Sequence, residues 1–282
     1  NKLLQSPEEY RSISILYLTG IAIKLGLFPF HSWKINVYQH SSPLISIFML
    51  PVTQIPLIFL LFKLGFLSNA FVDLKSIYLF ASISIILAPI AALKENNFMK
   101  IVTYSSISFS GYILLLWLVL KRTDGVMLLN LILAEGLIKI SLLTIPFGLS
   151  NAGLHINNIT FFCGANRSFI EKTTFCSIIF IFLNAAAAPL TLLFFFKIEI
   201  LELISSTNLF TCGIILISSV IWFRVYTNIM VNIIATQSTQ DTTISSNKSS
   251  QEAIIFLASV ISFICLNSNI IEDTGVLFMK GY

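Results

Sequence analysis

Long apolar runs separated by short polar stretches set the pattern of this chain. The runs cover residues 11–30, 43–65, 74–93, 98–120, 126–149, 173–206, 209–234 and 253–271. A helix needs about 20 apolar residues to cross roughly 30 Å of hydrocarbon. The pattern therefore predicts an all-α, polytopic transmembrane helix bundle of about eight spans, forming one transmembrane domain over residues 1–282. The stretch 31–42, HSWKINVYQHSS, is expected as a polar loop or re-entrant turn. The stretches 150–172 and 235–252 are expected as longer polar loops.

Residues 173–206 depart from a plain span. Four alanines, Ala185 to Ala188, and Pro189 interrupt the run near its middle, and Lys197 lies deep in apolar sequence. Proline lacks an N–H and clashes with the carbonyl four residues back, so a broken helix is expected at Pro189. Backbone groups freed at membrane depth survive only inside protein or beside water. A lysine at that depth costs about 2.5–3.5 kcal/mol on translocon scales. Together they mark a functional site; the plain alternative is a proline kink with a lysine whose stem reaches the surface.

Composition narrows the class. Of 282 residues, 56% are hydrophobic and only 11% charged, and mean hydropathy is +0.89, where soluble domains average about 25% charged residues. The net charge of +4 is dispersed without a basic run, which points away from nucleic acid. Cys163, Cys176, Cys212 and Cys265 are widely separated, so no iron–sulfur cluster or structural zinc is expected. His31, His40 and His155 lie at span ends or in loops, away from where facing imidazoles would hold a haem. Heavy use of Phe, Ile, Leu and Asn suits an AT-rich genome such as an organelle's.

Within the spans, three cations (Lys24, Lys139 and Lys197) and one acid (Glu135) carry candidate chemistry. Glu135 and Lys139 are four apart, on one helix face, and can pair. They form either a proton relay or a static ion pair that locks helices together. Arg224 stays charged at any useful pH; it steers a neighbour, or snorkels near a span end. Gln54, Ser105, Ser106 and Ser108 could support a water chain, although serines on membrane helices also simply allow close packing.

At these residues the chain resembles a known family. The run Lys24-Leu-Gly-Leu-Phe-Pro29-Phe-His31-Ser-Trp33, followed by Val37-Tyr38 and Pro43, is similar to the KLGxxPFHxWxPDVYxGxP signature of the chain-2 antiporter-like membrane subunits of NADH:ubiquinone oxidoreductase, respiratory complex I. Lys100-Ile-Val-Thr-Tyr104-Ser105-Ser106-Ile-Ser108-Phe-Ser-Gly111-Tyr112 resembles the family's KRxxAYSSISHxGY. Pro189-Leu-Thr191-Leu-Leu-Phe-Phe-Phe-Lys197 resembles its PxTxGFxxK, and Trp222-Phe-Arg224 sits where the family has YYLR. The resemblance implies an antiporter-like fold in which two broken helices carry buried lysines, Lys24 and Lys197, joined by a wet polar axis that moves protons. It implies no cofactor and no metal in this chain, with NADH, FMN, iron–sulfur clusters and ubiquinone handled elsewhere in the complex. It further implies other membrane-arm subunits as partners and the mitochondrial inner membrane as location.

Three departures accompany the resemblance. The family's lysine thirty residues after the first falls on Gln54, and its histidine in the YSSISH run falls on Phe109. The family's N-terminal helices, one with a glutamate partner for the first lysine, have no counterpart in this sequence. A separate chain or further segment is expected to supply them, with a carboxylate near Lys24. Two other functions share the features: a cation/proton antiporter subunit, and a non-pumping structural subunit of a respiratory complex.

Overall fold

A computed structural model describes residue 16 and residues 19–54, 56, 74–119, 125–150, 172–189, 191–205 and 209–235. The expected span at 253–271, residues 57–65 of the expected second span, residues 151–171 and 236–252 of the longer polar loops, Cys163, Cys265 and His155 lie outside the described residues. Residues 19–25 are helical. There follow α1 (Ser32–His40), α2 (Pro43–Val52), α3 (Leu74–Leu93), α4 (Phe98–Val119), α5 (Gly125–Ser150), α6 (Lys172–Ala185), α7 (Leu192–Ser205) and α8 (Leu209–Ala235). By length and composition, three stretches among the described residues can cross a membrane: Phe98–Leu118, Asn130–Phe147 and Leu209–Asn232. Tyr78–Leu93 and Cys176–Ala185 are shorter apolar helices.

The pairing of α3 with α4 rests on small residues. Ala81, Ser84, Ala88 and Ala92 recur on one face of α3 and are fully buried. Opposite them is Gly111 of α4, where a Cβ would lie 2.9 Å from the Ala81 carbonyl oxygen. Such smooth faces let membrane helices approach closely enough for dispersion to hold them.

Two helices end in the same device. The helix through residue 25 stops at Gly26, in the left-handed region with φ 70°. The Leu27 amide donates to the Ala22 carbonyl (2.9 Å) and the Gly26 amide to Ile23 (3.1 Å). Helix α6 stops at Ala187, φ 51°, with the Ala188 amide donating to Leu183 (3.1 Å) and the Ala187 amide to Asn184 (3.0 Å). Both patterns are the Schellman closure, which satisfies otherwise open helix-end carbonyls. The second interruption thus begins at the alanines, before Pro189. The chain has already left the helix when it reaches Pro189, which sits exposed in the turn before α7.

The two turns respond oppositely to substitution. Alanine in the left-handed region costs about 1–2 kcal/mol, part of which glycine's extra freedom in the unfolded chain offsets. Ala187→Gly is thus expected to stabilise the protein by about 0.5–1 kcal/mol. Gly26→Ala is expected to destabilise it by more than about 1 kcal/mol, because its Cβ would also meet the Lys34 Cδ at 2.8 Å. Thermal unfolding of the two purified variants should shift in opposite directions.

The stretch 31–42 is not the loop expected from its polarity. Once Gly26 turns the chain back, residues 32–40 form α1, burying Lys34, Ile35 and Tyr38 on one face. The polar residues between them face outward, which is why composition read as a loop.

Candidate functional site

The buried side chains form two apolar clusters with a polar layer between them. One cluster takes Ile35, Tyr38 and Leu50, the first half of α4 from Phe98 to Ile107, Ile138 to Ile145 on α5, Phe182 on α6 and Trp222 to Ile229 on α8. The other takes Ile21 to Leu27, Ala81 and Ile85, the second half of α4 from Phe109, Leu131 to Ala134 on α5, Phe196 to Ile204 on α7 and Cys212 to Ile215 on α8. On several of these elements a polar or charged residue lies at the change from one cluster to the other or within a turn of it. Those residues are Lys34 on α1, Ser106 and Ser108 on α4, Glu135 on α5, Lys197 on α7 and Ser218 on α8. The polar groups thus form a belt across the helices at mid-bundle.

Part of the belt opens into a cavity of about 50 Å³ lined by Glu135, Lys139, Lys197, Ser105, Ser108 and Tyr112, among others. About 10–15 Å³ of such space admits one water, so the cavity can hold a few. Lys139 Nζ lies 2.9 Å from Glu135 Oε1. The Lys139 side chain is 1% exposed and that of Glu135 12%, so the pair is held away from solvent. The Lys139 ammonium also lies 4.7 Å from the centroid of the Phe109 ring. A cation over a desolvated ring gains about 2 kcal/mol, so Phe109, where the resemblance would place histidine, supports the charge by its face. Lys197 reaches the same cavity from α7 and feels the field of Glu135. The walls are hydrogen-bonded: Trp222 Nε1 donates to Ser108 Oγ (3.1 Å), and the Tyr112 hydroxyl pairs with Ser218.

A second polar group lies where α1, residue 54 and α4 meet. Lys34 Nζ donates to Ser106 Oγ (2.9 Å) and to the Leu25 carbonyl (3.2 Å). Gln54 Nε2 donates to the same Ser106 Oγ (2.8 Å). Trp33 Nε1 caps the Ile23 carbonyl (2.8 Å). The Lys24 run of sequence is thus a turn whose open carbonyls are closed by the residues that follow it.

The sequence-derived candidates divide accordingly. Glu135, Lys139, Lys197 and Ser105 share the cavity. Gln54 and Ser106 lie in the Lys34 group. Lys24, Arg224 and Pro189 are exposed. Lys24, expected as a buried cation, stands one residue before Leu25 and points away from the belt; no carboxylate among the described residues pairs with it. Arg224 is on the outer face of α8, two residues from buried Trp222 and Tyr226. Sequence reading missed Trp222 and Tyr226 as wall residues of the cavity and Lys34 as the buried cation on Ser106. The signals were present as helical spacing: Lys34 with Tyr38, and Trp222 with Tyr226, each pair four apart.

The profile of the family described as "NADH:quinone oxidoreductase/Mrp antiporter, TM" matches residues 3–222. The chain belongs to this family. Among relatives, the NADH-quinone oxidoreductase subunit N of Buchnera aphidicola is 28% identical over 244 residues, covering 80% of this chain and 48% of that protein. The chain spans less than half the length of the curated relatives it matches. In three dimensions it is similar to a chain of an archaeal membrane-bound sulfane sulfur reductase, a respiratory membrane complex (TM-score 0.77, 18% identity, 96% of this chain and 56% of that one). It is also similar to a chain of respiratory complex I from Thermus thermophilus (TM-score 0.72, 19% identity, 92% and 57%). These likenesses establish the antiporter-like membrane-subunit fold.

Proposed function

We propose that this chain is a proton-translocating membrane-arm subunit of NADH:ubiquinone oxidoreductase in the mitochondrial inner membrane. Protons move along the mid-bundle belt by way of Lys197, Glu135 and Lys139. NADH oxidation on FMN and iron–sulfur clusters, and quinone reduction, take place on other subunits of the complex. The observation that carries this reading is the shared cavity: a lysine from α7 and an ion pair from α5, enclosed by apolar helices of a family that contains oxidoreductase subunits. Ionisable groups inside a membrane protein are costly and collect on ion and proton pathways. The organelle assignment draws support from the Phe-, Ile- and Asn-rich composition.

Neighbouring antiporter-like subunits and lipid are the partners. Lys24, exposed beside apolar Ile23, needs a carboxylate from a helix that covers it, because an unpaired cation facing hydrocarbon costs about 2.5–3.5 kcal/mol. The family description also embraces Mrp antiporters, and a cation/proton antiporter could use the same belt without NADH. A blue-native gel stained for NADH dehydrogenase separates the two. The chain is expected to migrate with a large NADH-oxidising assembly; migration only in a smaller assembly without that activity would refute the reading.

A further inference from the structure

We infer that Lys34 is a proton-carrying residue of the belt and takes the place of the ionisable side chain that position 54 lacks. The inference rests on the proton-translocation reading above. Lys34 is 3% exposed, and no carboxylate among the described residues forms an ion pair with it. Its ammonium and the Gln54 amide converge on a single acceptor, Ser106 Oγ, at 2.9 and 2.8 Å. A lysine at 54 and a lysine at 34 would therefore serve the same point of α4, approached from two elements.

The surroundings are shaped for this side chain. Gly26 adopts φ 70°, and any Cβ there would fall 2.8 Å from Lys34 Cδ and 3.2 Å from Lys34 Cβ. The stem thus fills the space beside the turn and delivers Nζ to the belt. A tether would not need a charge. A neutral donor could hold the Leu25 carbonyl and Ser106 without the cost of burying an ammonium, several kcal/mol for an ion taken out of water. The charge is also felt elsewhere in the belt, because Lys34 and Lys139 are near enough to repel one another. Two lysines so placed exchange charge in turn. One N–H bond breaks at the Lys34 ammonium, water between the Lys34 group and the cavity carries the proton, and one N–H bond forms on neutral Lys139. Nothing is oxidised or reduced, and the total charge of the pair is unchanged.

The test uses the assembled complex in sealed vesicles, measuring NADH-driven quinone reduction and proton uptake together. Lys34→Gln is expected to retain assembly and to lower the proton-to-electron ratio, with translocation reduced about tenfold, less than the factor of about 10²–10⁴ that a positioned acid–base group contributes. The exchange variant Lys34→Gln/Gln54→Lys is expected to recover most of the ratio, because it returns an ammonium to Ser106 from the other side. A wild-type ratio in Lys34→Gln overturns the inference. So does an exchange variant that assembles without recovery, and failure of both variants to assemble assigns Lys34 to folding and overturns it as well. Lys197→Arg in the same preparation keeps the two readings apart. If Lys197→Arg loses pumping while Lys34→Gln does not, only the present inference fails; if both pump normally, the parent reading fails.

Discussion

Replacing Lys197 with arginine is expected to leave the complex assembled and to remove most of its proton pumping. Lys197 stands on the first turns of α7, after the break at 186–191, and its side chain lines the cavity with Glu135. Arginine keeps the cation, and so the attraction to Glu135, but cannot give up its proton at accessible pH. A fixed charge preserves architecture and blocks turnover. The size of the task sets the size of the effect. Moving one charge against 100 mV costs about 2.3 kcal/mol, which at about 1.4 kcal/mol per tenfold is a factor of about 50 in equilibrium constant. A residue that never changes charge contributes nothing to that shift. Reconstituted Lys197→Arg complex should therefore reduce quinone while translocating protons at a small fraction of the wild-type ratio. Pumping at the wild-type ratio and rate would make Lys197 structural and the proposed mechanism wrong.

Glu135→Gln is expected to act on stability before it acts on transport. The variant leaves the Lys139 ammonium, 1% exposed, without its carboxylate at 2.9 Å. Removing one partner of a buried ion pair typically costs about 3–5 kcal/mol, because the other charge stays buried and uncompensated. Glu135→Gln should accordingly accumulate poorly in the assembled complex. Glu135→Leu/Lys139→Met removes both charges, and replacing a buried pair with apolar groups of similar volume is often neutral or stabilising. The double variant should assemble and still fail to pump. A double variant that pumps normally would show that the pair has only the static role left open by its spacing. A single variant that assembles at wild-type levels would contradict the burial on which the cost depends.

Apolar periodicity and length were enough to place α3, α4, α5 and α8 within a few residues, because a chain that must bury its backbone polar groups in lipid has few options other than long helices. The i,i+4 spacing of Glu135 and Lys139 predicted a pairing that the fold places at 2.9 Å, since both residues lie on one helix and no tertiary information is needed. The alanine run and Pro189 marked the interruption, which falls between Ala185 and Leu192, but not the way in which it is closed. Proline has a local rule, whereas a left-handed alanine at 187 is stabilised only by the closure that the whole turn makes.

What tertiary structure alone decided was which charges are inside. Lys24 and Lys34 are ten apart, and both sit in or beside apolar sequence. The turn at Gly26 reverses the chain between them, so one lysine ends on the surface and the other against Ser106. No periodicity runs through such a reversal, and hydropathy ranks the two lysines in the wrong order. The belt itself is likewise invisible along the chain, because Lys34, Ser106, Glu135, Lys197 and Ser218 come from five helices. Each is a costly polar residue on its own element; only packing puts them in one layer, where each lowers the cost of burying the next.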